Sequence, residues 1–383
     1  MSTAPATPAD AVAASDIAAV LREAPFVRVV AAADGDSLAA SGVLARACRE
    51  LSIPFQVRVD PVPDPAPGEG DDLVVGVGAA GGDIALAGAE AASLVAAAVA
   101  RELGVAPDPM LALAGVASAG RPLDAGDAAT LLDAARERTT VDRRPGVATP
   151  TAELADGVTH STLVHAPVSD DPEAAAAALS ALGIPSTPSD EDRRRLASWL
   201  AIEATASSAR AAEAVEWALR PHATPEAPFA SIEGFGDALD AVARERPGTG
   251  VALAIRDDDG LRTAVLDAWR DHARAAHGAV TAATTGRYDG VLVARVESDD
   301  PGRLGTVARL HRDYRSPEPV VLAVGNDAAA AASVDDARLG DAMREAVRSV
   351  DADGSSAGDA RQATARFDGI DVSRFSTAFR EAL

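Results

Sequence analysis

The chain has 383 residues, enough for about two or three domains, and its 58 acidic and 35 basic side chains give a formal net charge of −23. The sequence contains no lysine, so all 35 of those basic residues are arginine. A single cysteine, Cys48, excludes a disulfide framework, a cysteine-ligated zinc site and an iron–sulfur cluster, and we expect it to be a small buried residue.

The acidic, lysine-free composition predicts a halophilic origin. Dense surface carboxylates keep protein chains hydrated and mutually repelling in salt that screens ordinary charges. A GC-rich genome also favours arginine over lysine, but it does not account for the net charge. In such a chain the overall sign does not exclude nucleic-acid binding, so local clusters of arginine become the informative feature.

The start of the sequence predicts no targeting segment. Residues 1–14 are mostly alanine, proline, threonine and serine around Asp10, with no basic stretch before an apolar one. No run of about 18 apolar residues follows anywhere, so no membrane-spanning helix is expected. Together these features predict a cytoplasmic chain that does not associate with a membrane.

The first part of the chain alternates short apolar runs with helix-like segments. We predict strands at 26–32, 54–59 and 73–78, and helices at 38–51 and 90–103. Ser37 is the predicted N-cap of the first of these helices. Strands that alternate with helices indicate right-handed crossover units and a parallel sheet.

The rest of the chain divides into a helical stretch and a second region with strands. Helices are predicted at 172–182, 189–206, 211–219, 261–276, 304–314 and 336–350, and strands at 251–255, 291–296 and 320–324. The predicted fold class is therefore α/β. We divide it into an N-terminal parallel-sheet domain at 1–150, a helical connecting region at 151–245 and a C-terminal α/β domain at 246–383.

One short motif marks a candidate site. The first predicted strand is followed directly by Ala33-Asp34-Gly35-Asp36-Ser37. A carboxylate at the carboxyl end of a parallel strand lies where such sheets bind ligands, and here it also precedes a helix N-terminus. An Asp-Gly pair is equally a common turn signal, so the motif alone leaves both interpretations open.

With these residues the chain resembles the DHH phosphoesterase superfamily, which includes RecJ exonucleases and their relative at the eukaryotic replication fork. A strand, then Asp34-Gly35-x-Ser37, then a helix of small residues is similar to the opening of that family. Further similar segments are 111–117, which resembles the stretch before the fourth metal motif, and 305–310, 316–321 and 365–367, which resemble the DHH-associated domain. The arrangement is most similar to archaeal RecJ-like proteins and implies two α/β domains with a cleft between them.

The resemblance implies a pair of Mn²⁺ or Mg²⁺ ions in active members, held by carboxylates and histidines that activate water. The first motif, His-x-Asp-x-Asp-Gly, falls here on Val30, Ala32 and Asp34. The second motif falls on Gly76, the Asp-His-His stretch contains only Asp83, and the fourth has no aspartate near Ser118 and Ala119. One aspartate cannot hold two metal ions. We therefore predict no metal, no cofactor and no catalytic residue, with Asp34, Gly35 and Ser37 as a residual motif; Asp34 would be a ligand only in an active enzyme.

An arginine cluster in the C-terminal domain is the predicted nucleic-acid site. It comprises Arg303, Arg309, Arg312 and Arg315, with Tyr314 placed to stack on a base. Gly354, Ser355 and Ser356 lie where the family has a glycine-rich phosphate-binding turn, and Arg366 belongs to the similar segment 365–367. The alternative is that these arginines pair with neighbouring acidic residues of the same chain, namely Asp299, Asp300, Asp313 and Glu318.

Taken together, the sequence predicts a catalytically inactive RecJ-like protein that binds single-stranded nucleic acid as a scaffold in DNA replication or repair. The resemblance implies the GINS complex and the MCM helicase as partners. Two alternatives stay open: an active metal-dependent 5′–3′ exonuclease specific for single strands, with Mn²⁺ or Mg²⁺ as its cofactor, and a protein-interaction module that only retains the fold.

Overall fold

The computed structural model describes residues 13–68, 70–88, 90–206, 208, 210–256, 258–350, 353–369 and 371–383. The stretch at 1–14 on which the targeting prediction rests therefore lies almost entirely outside the described residues. Within the described part of the chain, no helix is long and apolar enough to cross a bilayer.

The N-terminal domain is built on a four-stranded sheet whose strands are all parallel, in the order β2-β1-β3-β4. Its elements are α1 (Ala14–Glu23), β1 (Phe26–Ala32), α2 (Gly35–Glu50), β2 (Phe55–Asp60), β3 (Asp72–Val77), β4 (Ile84–Leu86), α3 (Ala92–Glu102), α4 (Pro109–Ser118) and α5 (Gly126–Arg136). Val27, Val29 and Ala31 alternate along β1 and are buried in the core, whereas Arg28 between them is exposed. The predicted strands and helices of this domain are all present.

The middle of the chain is mostly helical, as predicted. Its elements are β5 (Asp142–Arg143), α6 (Leu154–His160), α7 (Pro172–Ala181), α8 (Asp190–Thr205), α9 (Ala211–Glu216), β6 (His222–Ala223), α10 (Ile232–Glu245), α11 (Pro247–Arg256) and α12 (Asp259–Ala282). The strand predicted at 251–255 is wrong, because those residues belong to α11. Gly250, Leu253 and Ala254 are buried at helical spacing, and a five-residue apolar run cannot reveal that period by itself.

The C-terminal domain contains a six-stranded sheet in the order β11-β12-β10-β9-β8-β7, in which only the β8–β9 pair is parallel. Its elements are β7 (Thr284–Tyr288), β8 (Val291–Arg295), α13 (Pro301–Tyr314), β9 (Val320–Val324), β10 (Ala328–Ser333), α14 (Leu339–Ser349), β11 (Ser355–Gly358), β12 (Gln362–Arg366) and α15 (Val372–Ala382). Helix α13 packs on one face of this sheet, while α14 and α15 pack on the other. This mixed α/β architecture confirms the predicted fold class.

Helices from the middle of the chain pack into the N-terminal core. Residues of α10, α11 and α12, as far as Trp269, join the same hydrophobic cluster as β1 and α2. The packing is close: a Cβ added at Gly42 of α2 would lie 2.6 Å from the Cβ of Ala254 in α11. Helix α10 packs equally closely on the start of α2, where a Cβ added at Gly35 would lie 2.9 Å from the backbone nitrogen of Asp240. The proposed domain boundaries at 150 and 245 stay predictions.

Candidate functional site

Asp34 follows β1 and is the N-cap of α2. Its carboxylate accepts hydrogen bonds from the backbone N–H of Ser37 (2.7 Å) and from the Ser37 hydroxyl (2.9 Å). The prediction that Ser37 caps this helix is therefore wrong, since Ser37 lies in the first turn and donates to the true cap. Both carboxylate oxygens of Asp34 therefore cap the N-terminus of α2, which is the common role of aspartate at this position.

Asp36, two residues further on, caps a different helix. Its carboxylate oxygens accept from the backbone N–H groups of Ala92 (2.7 Å) and Ser93 (3.0 Å) at the start of α3. Burial, together with the nearby charge of Asp34, raises the pKa of the Asp36 carboxyl to about 7. This side chain therefore joins two helices of the N-terminal domain.

Helix α10 adds an ion pair beside Asp34. Asp240 accepts a 3.0 Å hydrogen bond from the backbone N–H of Gly35 and lies 3.5 Å from the Ser118 hydroxyl. One turn later, Arg244 forms an ion pair with Asp240, and their side chains are only 10% and 15% exposed. Sequence analysis missed both residues. Their i, i+4 spacing was visible, but nothing in the sequence connected it with a motif some 200 residues away.

The charges of this group depend on one another. Burial raises the pKa of the Asp34 carboxyl, while its hydrogen bonds to Ser37 and the charge of Arg244 oppose that rise. Burial lowers the pKa of the Arg244 guanidinium to about 10, with Asp34 acting in the opposite sense. Arg244 thus stays protonated at neutral pH and supplies the positive charge next to the two aspartates.

The residues at the positions where the DHH resemblance implies metal ligands do not fit a pair of metal ions. Among the residues that the structure describes, no three His, Cys, Asp or Glu side chains come together as a metal site would require. Asp83 accepts from the backbone N–H groups of Gly68 and Val74 instead. A Cβ at Gly76 would lie 2.8 Å from the carbonyl oxygen of Gly81, so the backbone leaves no room there for an aspartate.

The arginines of the predicted nucleic-acid site make hydrogen bonds within their own chain. Arg303 forms a bidentate ion pair with Glu245, at 2.6 and 2.7 Å. Arg312 pairs with Asp313, as the alternative interpretation predicted, and also donates to the carbonyl oxygen of Ser333. The remaining two donate to polar side chains of the middle region, Arg309 to the Thr162 hydroxyl (3.0 Å) and Arg315 to Nε2 of His165 (2.9 Å).

Tyr314 does not offer its ring to a base. The side chain is 1% exposed within the core below α13, and its hydroxyl donates a 2.6 Å hydrogen bond to the carbonyl oxygen of Leu163. Burial also raises the pKa of this phenol above its usual value. The prediction of a stacking tyrosine is therefore corrected: the helix period places Tyr314 on the inner face of α13.

The predicted phosphate-binding turn, which contains Gly354, Ser355 and Ser356, lies mostly in a strand. Ser355 and Ser356 belong to β11, which pairs antiparallel with β12. A Cβ at Gly354 would lie 2.6 Å from the carbonyl oxygen of Arg366, so a glycine is needed here to let the two backbones approach each other closely. The prediction of a phosphate-binding turn is therefore wrong, because backbone groups of this segment pair with β12.

Arg366 lies on β12, where the two domains meet. Its guanidinium is 3.3 Å from the carboxylate of Asp60 at the end of β2, and the arginine side chain is 48% exposed. The neighbouring Thr364 hydroxyl donates a 2.7 Å hydrogen bond to the carbonyl oxygen of Pro61. Asp359, in the turn between β11 and β12, contributes to the electrostatic environment of Asp34. The C-terminal domain thus contacts the N-terminal domain at the end of β2.

Comparison with solved structures places this architecture in a known class. The chain is similar to CDC45 from Entamoeba histolytica, with a TM-score of 0.59 and 10% identity over 96% of this chain and 98% of that one. It is also similar to RecJ in complex with Mn²⁺ from Thermus thermophilus, with a TM-score of 0.52 and 16% identity over 99% of this chain and 55% of that one. The chain thus spans about half the length of the Thermus protein. These likenesses concern the fold alone, which is RecJ-like.

Sequence comparison gives the family within that class. The chain is 45% identical, over 382 residues, to the uncharacterized protein rrnAC1427 of Haloarcula marismortui, covering 98% of both chains. A family model described as the C-terminal domain of uncharacterized protein rrnAC1427 matches residues 283–381, which run from the start of β7 into α15. The chain belongs to the rrnAC1427 family.

Proposed function

We propose that this protein is a catalytically inactive RecJ-like member of the DHH superfamily that acts as a binding component in DNA replication or repair. The observation that carries the proposal is that the carboxylates in and beside the motif already have hydrogen-bond or ion-pair partners within the chain. Asp34 and Asp36 cap α2 and α3, and Asp240 binds Arg244, so none of the three points free oxygens at a shared metal position. Without a metal ion pair, the site has no means of generating hydroxide near neutral pH.

Single-stranded nucleic acid is the proposed ligand, with the GINS complex and the MCM helicase as proposed partners. With Tyr314 buried, affinity has to come from accessible arginines: Arg315, at the C-terminal end of α13, is exposed, and Arg366, on β12 where the N- and C-terminal domains meet, is about half exposed. Electrostatic contacts of this kind act on the phosphate backbone and carry no sequence preference. The proposed role is therefore that of a scaffold that holds a strand or a partner.

The test of inactivity uses 5′-labelled single-stranded DNA with Mn²⁺ or Mg²⁺ in concentrated salt. We expect the labelled strand to stay intact, at the level of a protein-free control. Hydrolysis that disappears in Asp34→Ala would instead establish an active single-strand exonuclease, the alternative that the sequence left open. Hydrolysis that persists in Asp34→Ala would point to a contaminating nuclease, and repurified protein would then have to be inactive for the proposal to stand.

A further inference from the structure

A groove of about 420 Å³ lies beside the C-terminal end of α2. Its charged side chains are three arginines and two carboxylates, Arg46, Arg49, Arg138, Glu50 and Asp108. At a rise of about 1.5 Å per residue, α2 separates this groove from Asp34 by roughly 22 Å. The groove is therefore distinct from the residual motif, and its lining carries more positive than negative charge in a chain whose net charge is −23.

Two of the arginines are held in place by contacts with neighbouring elements. Arg46 donates from Nε to the carbonyl oxygen of Ala254 at 2.7 Å, and from Nη1 to the carboxylate of Asp108 at 2.6 Å. Arg49 donates from Nη1 to the carbonyl oxygen of Ile255 at 3.2 Å. Both carbonyl groups belong to the last turn of α11. Each guanidinium has five N–H groups, so these contacts orient the two arginines and leave donors for a ligand.

The positive charge of the groove is only partly neutralised within the chain. Asp108 is already engaged, because it pairs with Arg46 and also caps the start of α4. The partner of Arg49 is an uncharged carbonyl group. Among the residues that the structure describes, the side chain of Arg138 has no ion-pair or hydrogen-bond partner, and neither has that of Glu50. Two guanidinium charges therefore stand against one uncommitted carboxylate.

We propose that this groove binds a phosphate group, carried either by a free phosphorylated molecule or by the backbone of single-stranded nucleic acid. Guanidinium groups bind phosphate oxygens through paired, charge-assisted hydrogen bonds, and three of them line the groove. The volume lies within the range of sites for small organic molecules, so the groove has room for the group to which the phosphate is attached. This site is additional to the proposed function and does not rest on it.

The experiment measures the binding of inorganic pyrophosphate to the full-length protein by isothermal titration calorimetry. The solution contains the lowest KCl concentration at which the wild type stays folded, because salt screens the contacts under test. Arg138→Ala and Glu50→Gln change the charge of the groove in opposite directions, and neither removes a side-chain hydrogen bond or ion pair between described residues. The matched control is Arg136→Ala, since Arg136 lies on α5 two residues from Arg138 and forms an exposed ion pair with Asp133.

We expect the wild type to bind pyrophosphate at one site. Arg138→Ala should weaken this binding about tenfold, because it removes a charge-assisted contact. Glu50→Gln should tighten the binding about threefold, because it removes a nearby negative charge. Arg136→Ala should bind as the wild type does. Absence of pyrophosphate binding by the wild type, or an unchanged affinity in Arg138→Ala, would overturn the proposal.

A titration with a labelled single strand, followed by fluorescence anisotropy, separates the two sources of phosphate. If Arg138→Ala weakens binding of the strand as well as of pyrophosphate, the groove takes the backbone of nucleic acid. If only pyrophosphate binding is weakened, the ligand is a free phosphorylated molecule. Arg315→Ala/Arg366→Ala changes the arginines of the proposed function and should leave pyrophosphate binding unchanged, so failure of that function is distinguishable from failure of this proposal.

Discussion

The Nδ1 atoms of His165 and His277 lie 3.0 Å apart, within a chain of hydrogen bonds that joins His277 of α12 and Arg315 at the end of α13 to residues 161–165. His277 donates from Nε2 to the carbonyl oxygen of Ser161 at 3.2 Å, so its Nδ1 has to accept from His165. The remaining nitrogen of His165, Nε2, then accepts from Arg315. Only two neutral rings satisfy this arrangement, because an additional proton on either ring would face another donor.

This arrangement predicts a loss of stability in mild acid. Burial, with the charges of Arg315 and His311, lowers the pKa of His165 to about 4, and burial beside His165 lowers the pKa of His277 to about 3. In the unfolded chain both titrate near pH 6.5, so the unfolded state binds more protons between these values. The stability is fully present above about pH 6.5 and falls as the pH drops towards 4, by up to about 2.7 kcal/mol per pH unit for the pair.

The measurement is denaturant unfolding at about pH 7.5 and about pH 5 for the wild type and for His165→Asn/His277→Asn. The raised pKa values of Asp34 and Asp36 act in the opposite direction, since those groups take up protons more readily in the folded state. Because Asp34 and Asp36 titrate in both proteins, the difference between the two losses of unfolding free energy on going from about pH 7.5 to about pH 5 measures the contribution of the two histidines. Equal losses of stability in both proteins would contradict the prediction that His165 and His277 cause the loss of stability in mild acid.

A second prediction concerns Tyr314. Tyr314→Phe removes the donor to Leu163 and leaves its carbonyl oxygen without that partner, which should cost about 1–2 kcal/mol of unfolding free energy. Tyr288→Phe is the matched control, because Tyr288 is 45% exposed and should change stability very little. Neither variant should alter oligonucleotide binding, and a loss of binding in Tyr314→Phe alone would restore the stacking interpretation.

The third prediction concerns Gly76, the position on which the second metal motif of the DHH superfamily falls. Gly76→Ala should destabilise the fold by about 1–3 kcal/mol, because the new Cβ meets two carbonyl oxygens within 2.9 Å. Gly305→Ala, in α13, meets no atom within 4 Å and should instead gain up to about 1 kcal/mol. Chemical denaturation compares the two, and a neutral Gly76→Ala would mean that a ligand side chain could be accommodated there.

The fourth prediction tests nucleic-acid binding by two accessible arginines, Arg315 at the end of α13 and Arg366 on β12. Arg315→Ala and Arg366→Ala should each weaken binding of a labelled single strand and flatten its salt dependence by about 0.7 per lost phosphate contact. Arg344→Ala is the control, since its exposed ion pair with Asp341 lies on α14 and is not part of the proposed site. Fluorescence anisotropy against salt concentration provides the measurement. Curves identical to the wild type would remove both arginines from the proposed site.

The sequence predicted the fold well wherever apolar periodicity and turn residues agreed. It made no prediction for β10, whose residues Ala328–Ser333 are five alanines and a serine, a composition typical of a helix. These residues form a strand because both of its neighbours in the sheet, β9 and β12, pair with it and bury all six side chains. Such tertiary pairing cannot be read from local composition.

For the candidate site, the sequence identified Asp34 and predicted the absence of its partner ligands, but it did not identify the residues that pack beside Asp34. Asp240 and Arg244 are brought to Asp34 only by the packing of α10 against α2. Likewise, the arginines of α13 were recognised as a cluster, but their acceptors at Thr162 and His165 come from a distant segment. In each case the missing information was a contact between residues far apart in the chain.

The contacts of β12 with the end of β2 have a consequence for motion. Thr364 and Arg366 are attached to residues some 300 positions earlier, at Pro61 and Asp60, while the covalent connection between the domains runs through Ala283, between α12 and β7. The C-terminal domain therefore contacts the N-terminal sheet through β12, in addition to the contacts of α13 with the middle region. Separation of β12 from the end of β2 has to break one neutral hydrogen bond and one ion pair, and dissolved salt weakens only the ion pair.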